Sequence, residues 1–181
     1  PFKQDKTQLR EAEVSQRARE NNVPVLYVNQ IGGQDELVFD GASFAVNAAG
    51  EKCIQAIQFA TALVPITLHK TEHGIELSGP QQPLMEELET VYQALVCGLR
   101  DYVEKNRFPG VVIGLSGGID SALTMALAVD ALGAERVQAV MMPSRYTSQI
   151  SLDDAAEMAA ILGVQYRNIN IENLFQTFLR E

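Results

Sequence analysis

Apolar and polar residues alternate in blocks along the second half of the chain, and the blocks predict strands and helices in turn. Apolar runs typical of buried strands occupy residues 111–113, 136–142 and 164–171. Helical spacing of apolar residues covers 84–106, 121–132 and 151–162, and a last helix is predicted to begin near Asn170. Gly133 and Gly163 stand where two of these helices should end, and Ser151 is the predicted cap of one, with Asp154 at the capping-box position. The β-α-β-α-β-α order predicts a parallel sheet in an α/β fold, with 111–113 as an inner strand.

The first part of the chain has a different pattern. We predict a helix from a cap at Thr7 to about Asn22, a strand over 23–29, a polar loop over 31–41, and an antiparallel hairpin formed by 43–47 and 52–58. Residues 63–68 predict one more strand. Residues 69–83, which include His69 and His73, contain Gly and Pro without periodicity and predict a linker. The predicted domains are therefore 1–68 and 84–181.

The most chemically specific stretch follows the first parallel strand. Gly117 and Gly118 permit backbone angles that other residues avoid, so their amides can close around a small anion. The helix that begins near Ser121 directs its partial positive end at the same point. Asp120 adds a carboxylate beside this anion site, which makes chemical sense if a divalent metal lies between them. The residues thus predict a nucleotide phosphate or pyrophosphate held with Mg²⁺.

Two common phosphate-binding loops are excluded. A Walker loop needs a Gly-Lys-Ser/Thr end, yet no lysine follows Lys105, and the spacing of the glycines does not match G-x-G-x-x-G. The sequence Ser116-Gly117-Gly118-Ile119-Asp120-Ser121 resembles instead the signature of the ATP pyrophosphatase (PP-loop) superfamily. Those enzymes split ATP into AMP and pyrophosphate to adenylate an oxygen that a nitrogen or sulfur nucleophile then displaces. A plain strand–Gly–Gly–helix turn is the alternative.

A second polar stretch, residues 142–151, reads Met-Pro-Ser-Arg-Tyr-Thr-Ser-Gln-Ile-Ser. It lies between a predicted strand and helix, where long loops are often functional. Arg145 can offer a planar fork to a phosphate, and Tyr146 a stacking face. An ordinary solvated loop is the alternative.

Taken with the glycine loop, this second stretch resembles the synthetase domain of glutamine-dependent NAD⁺ synthetases. Residues 28–37 (Val-Asn-Gln-Ile-Gly-Gly-Gln-Asp-Glu-Leu) and 39–44 (Phe-Asp-Gly-Ala-Ser-Phe) resemble the nitrilase-like glutaminase domain of that family. The resemblance implies an α/β fold: the C-terminal part of a nitrilase-like α-β-β-α domain followed by a parallel-sheet, Rossmann-like PP-loop domain. It also implies amidation of deamido-NAD⁺ with ATP and glutamine-derived ammonia. GMP, asparagine and argininosuccinate synthetases share only the loop.

The resemblance assigns roles to individual residues. ATP and Mg²⁺ are the implied cofactors, with Asp120 as the metal ligand and Arg145 and Gln149 as further candidates for the nucleotide site. Pro1-Phe2 matches the end of the family's Ser-Pro-Phe, and Lys6 stands where a basic residue binds substrate glutamine. The implied ATP contacts in the glycine loop are Gly114, Leu115, Ser116, Gly117, Gly118, Ile119, Asp120 and Ser121.

The nitrilase reaction needs a Glu, a Lys and a nucleophilic Cys together. We expect all three upstream of Pro1 and therefore no catalytic residue within the chain, which would then be the junction segment of a larger enzyme. Cys53 and Cys97 are expected to be structural or inert, and the two histidines to lie on solvated surface.

Composition and charge narrow the partners, the compartment and the classes of function expected for the chain. The chain has 181 residues, 46% of them hydrophobic and 20% charged, and a net charge of −9 with no basic run. The charge argues against nucleic-acid and membrane-surface partners. Two isolated cysteines and no apolar run of about 18 residues favour the cytoplasm. We expect small-molecule substrates (deamido-NAD⁺, glutamine, ATP) and a homo-oligomer. Another PP-loop ligase with an unrelated front half, or a non-catalytic nucleotide-binding fragment, are the two other hypotheses.

Overall fold

A computed structural model gives the conformation of residues 1–72 and 74–180, which fall into two units that divide within a helix. The first unit, Pro1–Gly98, combines one complete helix with short antiparallel strands. In chain order its elements are α1 (Lys6–Asn21), β1 (Val25–Tyr27), β2 (Ile31–Gln34), β3 (Leu37–Asp40), β4 (Phe44–Val46), β5 (Lys52–Gln55), β6 (Thr67–Thr71), β7 (Gly74–Ser78) and the first part of α2 (Glu87–Lys105). Strands β1, β4 and β5 form a sheet in the order β1-β4-β5, while β2–β3 and β6–β7 are two separate hairpins.

Two apolar clusters hold the first unit together. In one, Ala18 of α1 packs on Phe44 and Val46 of β4. In the other, Ala45 and Ile54 pack on Leu77 of β7. Alternate residues of β4 thus point to opposite faces, one covered by α1 and the other by the β6–β7 hairpin. The antiparallel pairing of β4 with β5 confirms the hairpin predicted over 43–47 and 52–58.

Four expectations for the first unit are wrong. The strand predicted over 63–68 is irregular as far as Ile66, and β6 begins only at Thr67. Helix α1 begins at Lys6 with Asp5 at its N-cap, not with a cap at Thr7. The predicted polar loop 31–41 is the β2–β3 hairpin, whose turn contains Asp35 at φ +51°. The predicted linker 69–83 is in its first part the β6–β7 hairpin, which is ordered because Leu77 is buried against Ile54. His69 lies exposed on β6, and His73 lies outside the described residues.

The second unit runs from Leu99 onward and has the predicted alternation of strands and helices. After α2 its elements are β8 (Val111–Gly114), α3 (Ile119–Leu132), β9 (Val137–Met141), α4 (Gln149–Ile161), β10 (Gln165–Asn168) and α5 (Glu172–Phe178). The strands pair in parallel in the order β10-β9-β8, which confirms the parallel sheet. Helices α3 and α4 contribute small or flexible buried side chains, Met125, Ala128, Ala155 and Ala159, to the core beside β9.

The central strand of this sheet is β9, and β8 lies at its edge within the described chain. The prediction of 111–113 as an inner strand is therefore wrong for this sheet, and Val112 is 68% exposed. The start of β8 is fixed by Arg136, whose guanidinium donates to the carbonyls of Phe108 and Pro109 at 3.0 and 3.1 Å and pairs with Glu104.

The ends of α3 and α4 lie where the sequence predicts them, whereas the start of α4 does not. Gly133 and Gly163 take positive φ values of +86° and +67° and follow α3 and α4 as predicted. The N-cap of α4 is Ser148 rather than Ser151, and its hydroxyl accepts a hydrogen bond from the Ser151 amide at 3.3 Å. Among the described residues, no helix combines the length and apolar character needed to cross a membrane.

Candidate functional site

The glycine loop begins where β8 ends and is tied at once to the neighbouring strand. Gly114 pairs with Val140 of β9, and the Leu115 amide donates to the Val140 carbonyl at 2.9 Å. Leu115 is only 2% exposed and anchors the start of the loop in the core. The loop thus leaves the sheet at the carboxyl end of a parallel strand, where α/β proteins bind their ligands.

Two serine hydroxyls hold the loop closed. The Ser121 hydroxyl donates to the Gly118 carbonyl at 2.9 Å and accepts from the Ser116 amide at 3.2 Å. The Ser116 and Ser121 hydroxyls lie 3.0 Å apart, and Ser116 Oγ accepts from the Gly118 amide at 3.3 Å. The two hydroxyls therefore satisfy the Ser116 amide and both backbone polar groups of Gly118.

Gly117 is required by two separate constraints. Its φ is +79°, in the region that L side chains rarely adopt. A Cβ atom at this position would also lie 2.2 Å from the carbonyl oxygen of Ser151 and 2.6 Å from its Cα. The first turn of α4 consequently lies directly against the glycine loop. Sequence reasoning did not place Ser151 at this site, because a contact between backbones leaves no signal in side-chain type.

The start of α3 presents donors suited to an anion. Gly118 is the N-cap, so the amides of Ile119, Asp120 and Ser121 lie in the first turn, where a helix has no internal acceptors for them. With the helix dipole they form a site that attracts negative charge. The Asp120 carboxylate is exposed and forms no hydrogen bond or ion pair with another described residue.

A cavity of about 380 Å³ opens between the loop and α4. Its walls are mainly apolar, but Asp154 and Glu157 line the helix side. Two carboxylates disfavour a triphosphate there, since like charges repel. Six of its lining residues are Leu115, Gly118, Ile119, Asp154, Glu157 and Met158.

Arg145 is directed to α5 rather than to the glycine loop. Its Nε donates to one Glu172 carboxylate oxygen at 2.8 Å, and its backbone amide donates to the other at 2.9 Å. The Arg145 backbone amide, and then its guanidinium, hold the pKa of the Glu172 carboxyl below its ordinary value against the opposing effect of burial. Tyr146 packs edge-on against Phe175 with ring centroids 5.7 Å apart. The structure therefore joins the 142–148 loop to α5.

Gln149 also turns away from the loop. Its amide donates to Asp153 of the same helix at 2.8 Å. The predicted candidates Gly114 to Ser121 are thus brought together in one loop, whereas the Arg145 and Gln149 side chains have other partners.

The remaining predicted residues lie in the first unit. Lys6 is the half-buried first residue of α1. Cys53 is partly buried, its Sγ donates to the Ala45 carbonyl, and burial raises the pKa of its thiol. Cys97 is 1% exposed. The raised pKa leaves the Cys53 thiol with little thiolate at neutral pH, which disfavours a role as nucleophile.

Comparison with known proteins finds a family model for the second half of the chain and relatives along nearly its whole length. The NAD synthase family model matches residues 91–181. A glutamine-dependent NAD(+) synthetase of Acinetobacter baylyi is 43% identical over 99% of the chain, and that of Rhodobacter capsulatus is 44% identical over 95%. The chain spans about a third of the length of these relatives: 33% of the first and 31% of the second.

One solved structure matches almost the whole chain. It is a glutamine-dependent NAD⁺ synthetase from Acinetobacter baumannii in complex with ADP, which matches with a TM-score of 0.92 and 47% identity. The match covers 99% of this chain and 34% of that one. With the family model matching half of the residues, and with the glycine loop at the end of β8 inside that half, the chain belongs to the NAD synthase family.

Proposed function

We propose that this chain is the central part of an enzyme that converts deamido-NAD⁺ to NAD⁺ with ATP and glutamine. In this reaction ATP adenylates the carboxylate of deamido-NAD⁺, releasing pyrophosphate, and ammonia from glutamine displaces AMP. The observation that carries the proposal is the closed glycine loop at the carboxyl end of β8, held by Ser116 and Ser121. Relatives named for this activity are similar along nearly the whole chain.

The first turn of α3 supplies the binding chemistry of the synthetase half. The amides of Ile119, Asp120 and Ser121 bind the phosphates of ATP, and the dipole of α3 lowers the free energy of the bound negative charge. Gly117 lets these amides approach the phosphates. Because Gly117 has no side chain, the loop can lie against Ser151 in the conformation that presents the amides.

Asp120 is the proposed ligand of Mg²⁺. Among the described residues no cluster of three His, Cys, Asp or Glu side chains forms a metal cage. A single carboxylate beside the phosphates of ATP fits Mg²⁺, which proteins usually hold with one or two carboxylates, substrate phosphates and water. When bound, the ion supplies positive charge that stabilises the departing pyrophosphate.

The first unit is proposed to be the C-terminal part of a nitrilase-like glutaminase domain, with Lys6 binding the substrate glutamine. The support is the Pro1-Phe2 segment before α1, the β1-β4-β5 sheet and the 47% identical structure that matches both units. The catalytic Glu, Lys and Cys would then lie outside this chain. The predicted homo-oligomer stays a prediction, which the mass of the full-length protein in solution would test.

The test is NAD⁺ formation by the full-length protein. With ATP, Mg²⁺ and deamido-NAD⁺, glutamine and ammonium should each support NAD⁺ formation, and AMP and pyrophosphate should appear with it. Use of ammonium but not glutamine would identify another kind of PP-loop ligase, and no ATP consumption would refute an enzymatic function.

A substitution tests the assignment of Asp120. Asp120→Ala should weaken Mg²⁺-dependent ATP binding by at least about 100-fold, because the charge stabilisation lost is several kcal/mol. Asp130→Ala is the matched control, since Asp130 is an exposed carboxylate about 15 Å further along the same helix. Equal affinities for Mg·ATP in Asp120→Ala and the control would contradict the assignment.

A further inference from the structure

The first unit contains a buried carboxylate that the proposed reaction does not use. Asp40, the last residue of β3, is 0% exposed. Its Oδ1 accepts from Arg10 Nη1 of α1 at 2.9 Å and from Asn29 Nδ2 at 3.1 Å. Its Oδ2 is buried and has no hydrogen-bond partner in the described part of the chain.

Stability alone does not account for this arrangement. A buried ion pair loses about as much free energy to desolvation as its attraction returns, and apolar residues of similar volume often serve as well. A buried oxygen without a donor adds a further cost. A buried polar atom without a hydrogen-bond partner needs an explanation, and here we look for it in the segments that Asp40 and Arg10 hold in place.

The Arg10–Asp40 pair holds the segment that precedes α1. The second arm of the guanidinium, Arg10 Nη2, donates to the Pro1 carbonyl at 2.9 Å. On the other side, the Phe2 ring packs edge-on against Phe59 at 6.3 Å, and the Phe59 amide donates to the Asp40 carbonyl at 3.0 Å. The Phe2 amide also donates to the Val38 carbonyl on β3. Residues 1 and 2 are therefore fixed around Asp40 by both side chain and backbone.

Backbone geometry around Asp40 is unusual as well. Gly41, Ala42 and Phe59 all have positive φ, at +68°, +50° and +51°. Non-glycine residues in this region cost free energy and persist where the surroundings determine the conformation, often beside a functional site. Asn29 donates to the Gly41 carbonyl at 2.8 Å as well as to Asp40, and so supports this turn.

Helix geometry connects the pair to Lys6. Residues four apart lie on the same face of a helix, so Lys6 and Arg10 share a face of α1. Because Arg10 contacts both Pro1 and Asp40, it sets the rotation of the helix and the position of the chain before it. Lys6 itself is half-buried and does not line the neighbouring cavity of about 250 Å³ beside Phe2 and Gln58.

We propose that Arg10 and Asp40 are a positioning pair for the glutamine subsite, holding Lys6 and the Pro1-Phe2 segment in the geometry that binds glutamine. This inference rests on the proposed function of the first unit. Arginine suits the role because its planar fork bonds two acceptors at fixed angles, and lysine, with one ammonium group, does not.

The test compares two nitrogen sources in the full-length protein. Arg10→Met should raise the KM for glutamine by about ten-fold or more, since a hydrogen bond to a charged group is lost. NAD⁺ formation with ammonium, which bypasses the glutamine subsite, should keep its kcat and KM. Arg10→Lys should give an intermediate KM for glutamine, because it keeps the charge near Asp40 and loses the bond to Pro1.

Glu11→Gln is the matched control. Glu11 is the next residue of α1 and pairs with Lys52 of β5 at 2.7 Å, so it also ties the helix to the sheet but does not contact Pro1. Its KM for glutamine should stay at the wild-type value. If Arg10→Met fails to fold, Arg10→Lys carries the comparison.

Three results would overturn the inference: an unchanged KM for glutamine in both Arg10 variants, an equal loss of the ammonium-dependent rate, or the same rise in KM in Glu11→Gln. Failure of the proposed function is visible separately in the wild type. A wild-type protein that uses ammonium but not glutamine removes the glutamine subsite and this inference with it. A wild type inactive with both nitrogen sources refutes the proposed reaction itself.

Discussion

Gly117→Ala tests whether the contact between the glycine loop and α4 shapes the proposed ATP site. The added Cβ would lie 2.2 Å from the Ser151 carbonyl oxygen, while ordinary contacts begin near 3.4 Å. The clashing atoms belong to the backbone, so no side chain can rotate to relieve the overlap. A positive φ costs alanine about 1–2 kcal/mol, and overpacking costs about 1–3 kcal/mol, which together predict a local destabilisation of about 2–5 kcal/mol.

Gly118→Ala is the matched control on the neighbouring residue. Its φ is −96°, and a Cβ there would meet only Ser116 Oγ at 3.4 Å. Exchange of glycine for alanine at an N-cap costs about 1 kcal/mol or less. The two adjacent glycines therefore differ in expected cost by more than 1 kcal/mol for reasons visible only in three dimensions.

Hydrogen exchange measured on the full-length protein distinguishes these variants. Amides in the first turns of α4 should exchange at least about 30-fold faster in Gly117→Ala than in the wild type, and only a few-fold faster in Gly118→Ala. The Kd for Mg·ATP should follow the same order: highest in Gly117→Ala, lower in Gly118→Ala and lowest in the wild type. Equal exchange rates in the two variants would refute the reasoning, since they would show that the loop does not press against Ser151.

Two further predictions concern hydrogen bonds of the second unit. Ser121→Ala removes the hydroxyl that joins Ser116 to Gly118, and should weaken ATP binding about ten-fold in a titration, whereas Ser121→Thr should retain most of the affinity; equal affinities for Ser121→Ala and wild type would contradict the assigned loop structure. The lowered pKa of Glu172 means that its bonds to Arg145 contribute stability above the ordinary carboxyl pKa and lose it as the pH falls through the folded value. Protection of the Arg145 amide should therefore decrease on acidification in the wild type and be independent of pH in Glu172→Gln, whose side chain keeps an acceptor oxygen but does not titrate. A pH-independent wild-type value would refute this.

Much of the second unit follows from the sequence. Its strands and helices alternate as predicted, because each apolar run and each helix-ending glycine acts locally. The glycine loop lies at the end of β8 as its motif indicates. The order of the strands does not follow from local sequence, because it depends on which strands pair. In the described sheet β9 lies at the centre and β8 at the edge.

The two polar hairpins of the first unit could not be predicted from their own residues. Residues 31–41 and 69–78 have the composition of loops, and both form paired strands. Their backbone hydrogen bonds join residues within each hairpin, but the apolar burial that stabilises β7 comes from Ile54, on a different strand. Local composition carries no information about a partner that distant.

The residue types of the candidate site can be predicted from the amino-acid sequence: a closed glycine turn, a helix N-terminus and one acidic side chain. The surroundings of these residues depend on the tertiary fold. It brought Ser151 against Gly117, directed Arg145 to Glu172, and joined Arg10 to Asp40 across thirty residues of sequence. Turns and helix ends depend on near neighbours and can be read in order, whereas close packing and buried charge depend on which distant segments the fold places in contact.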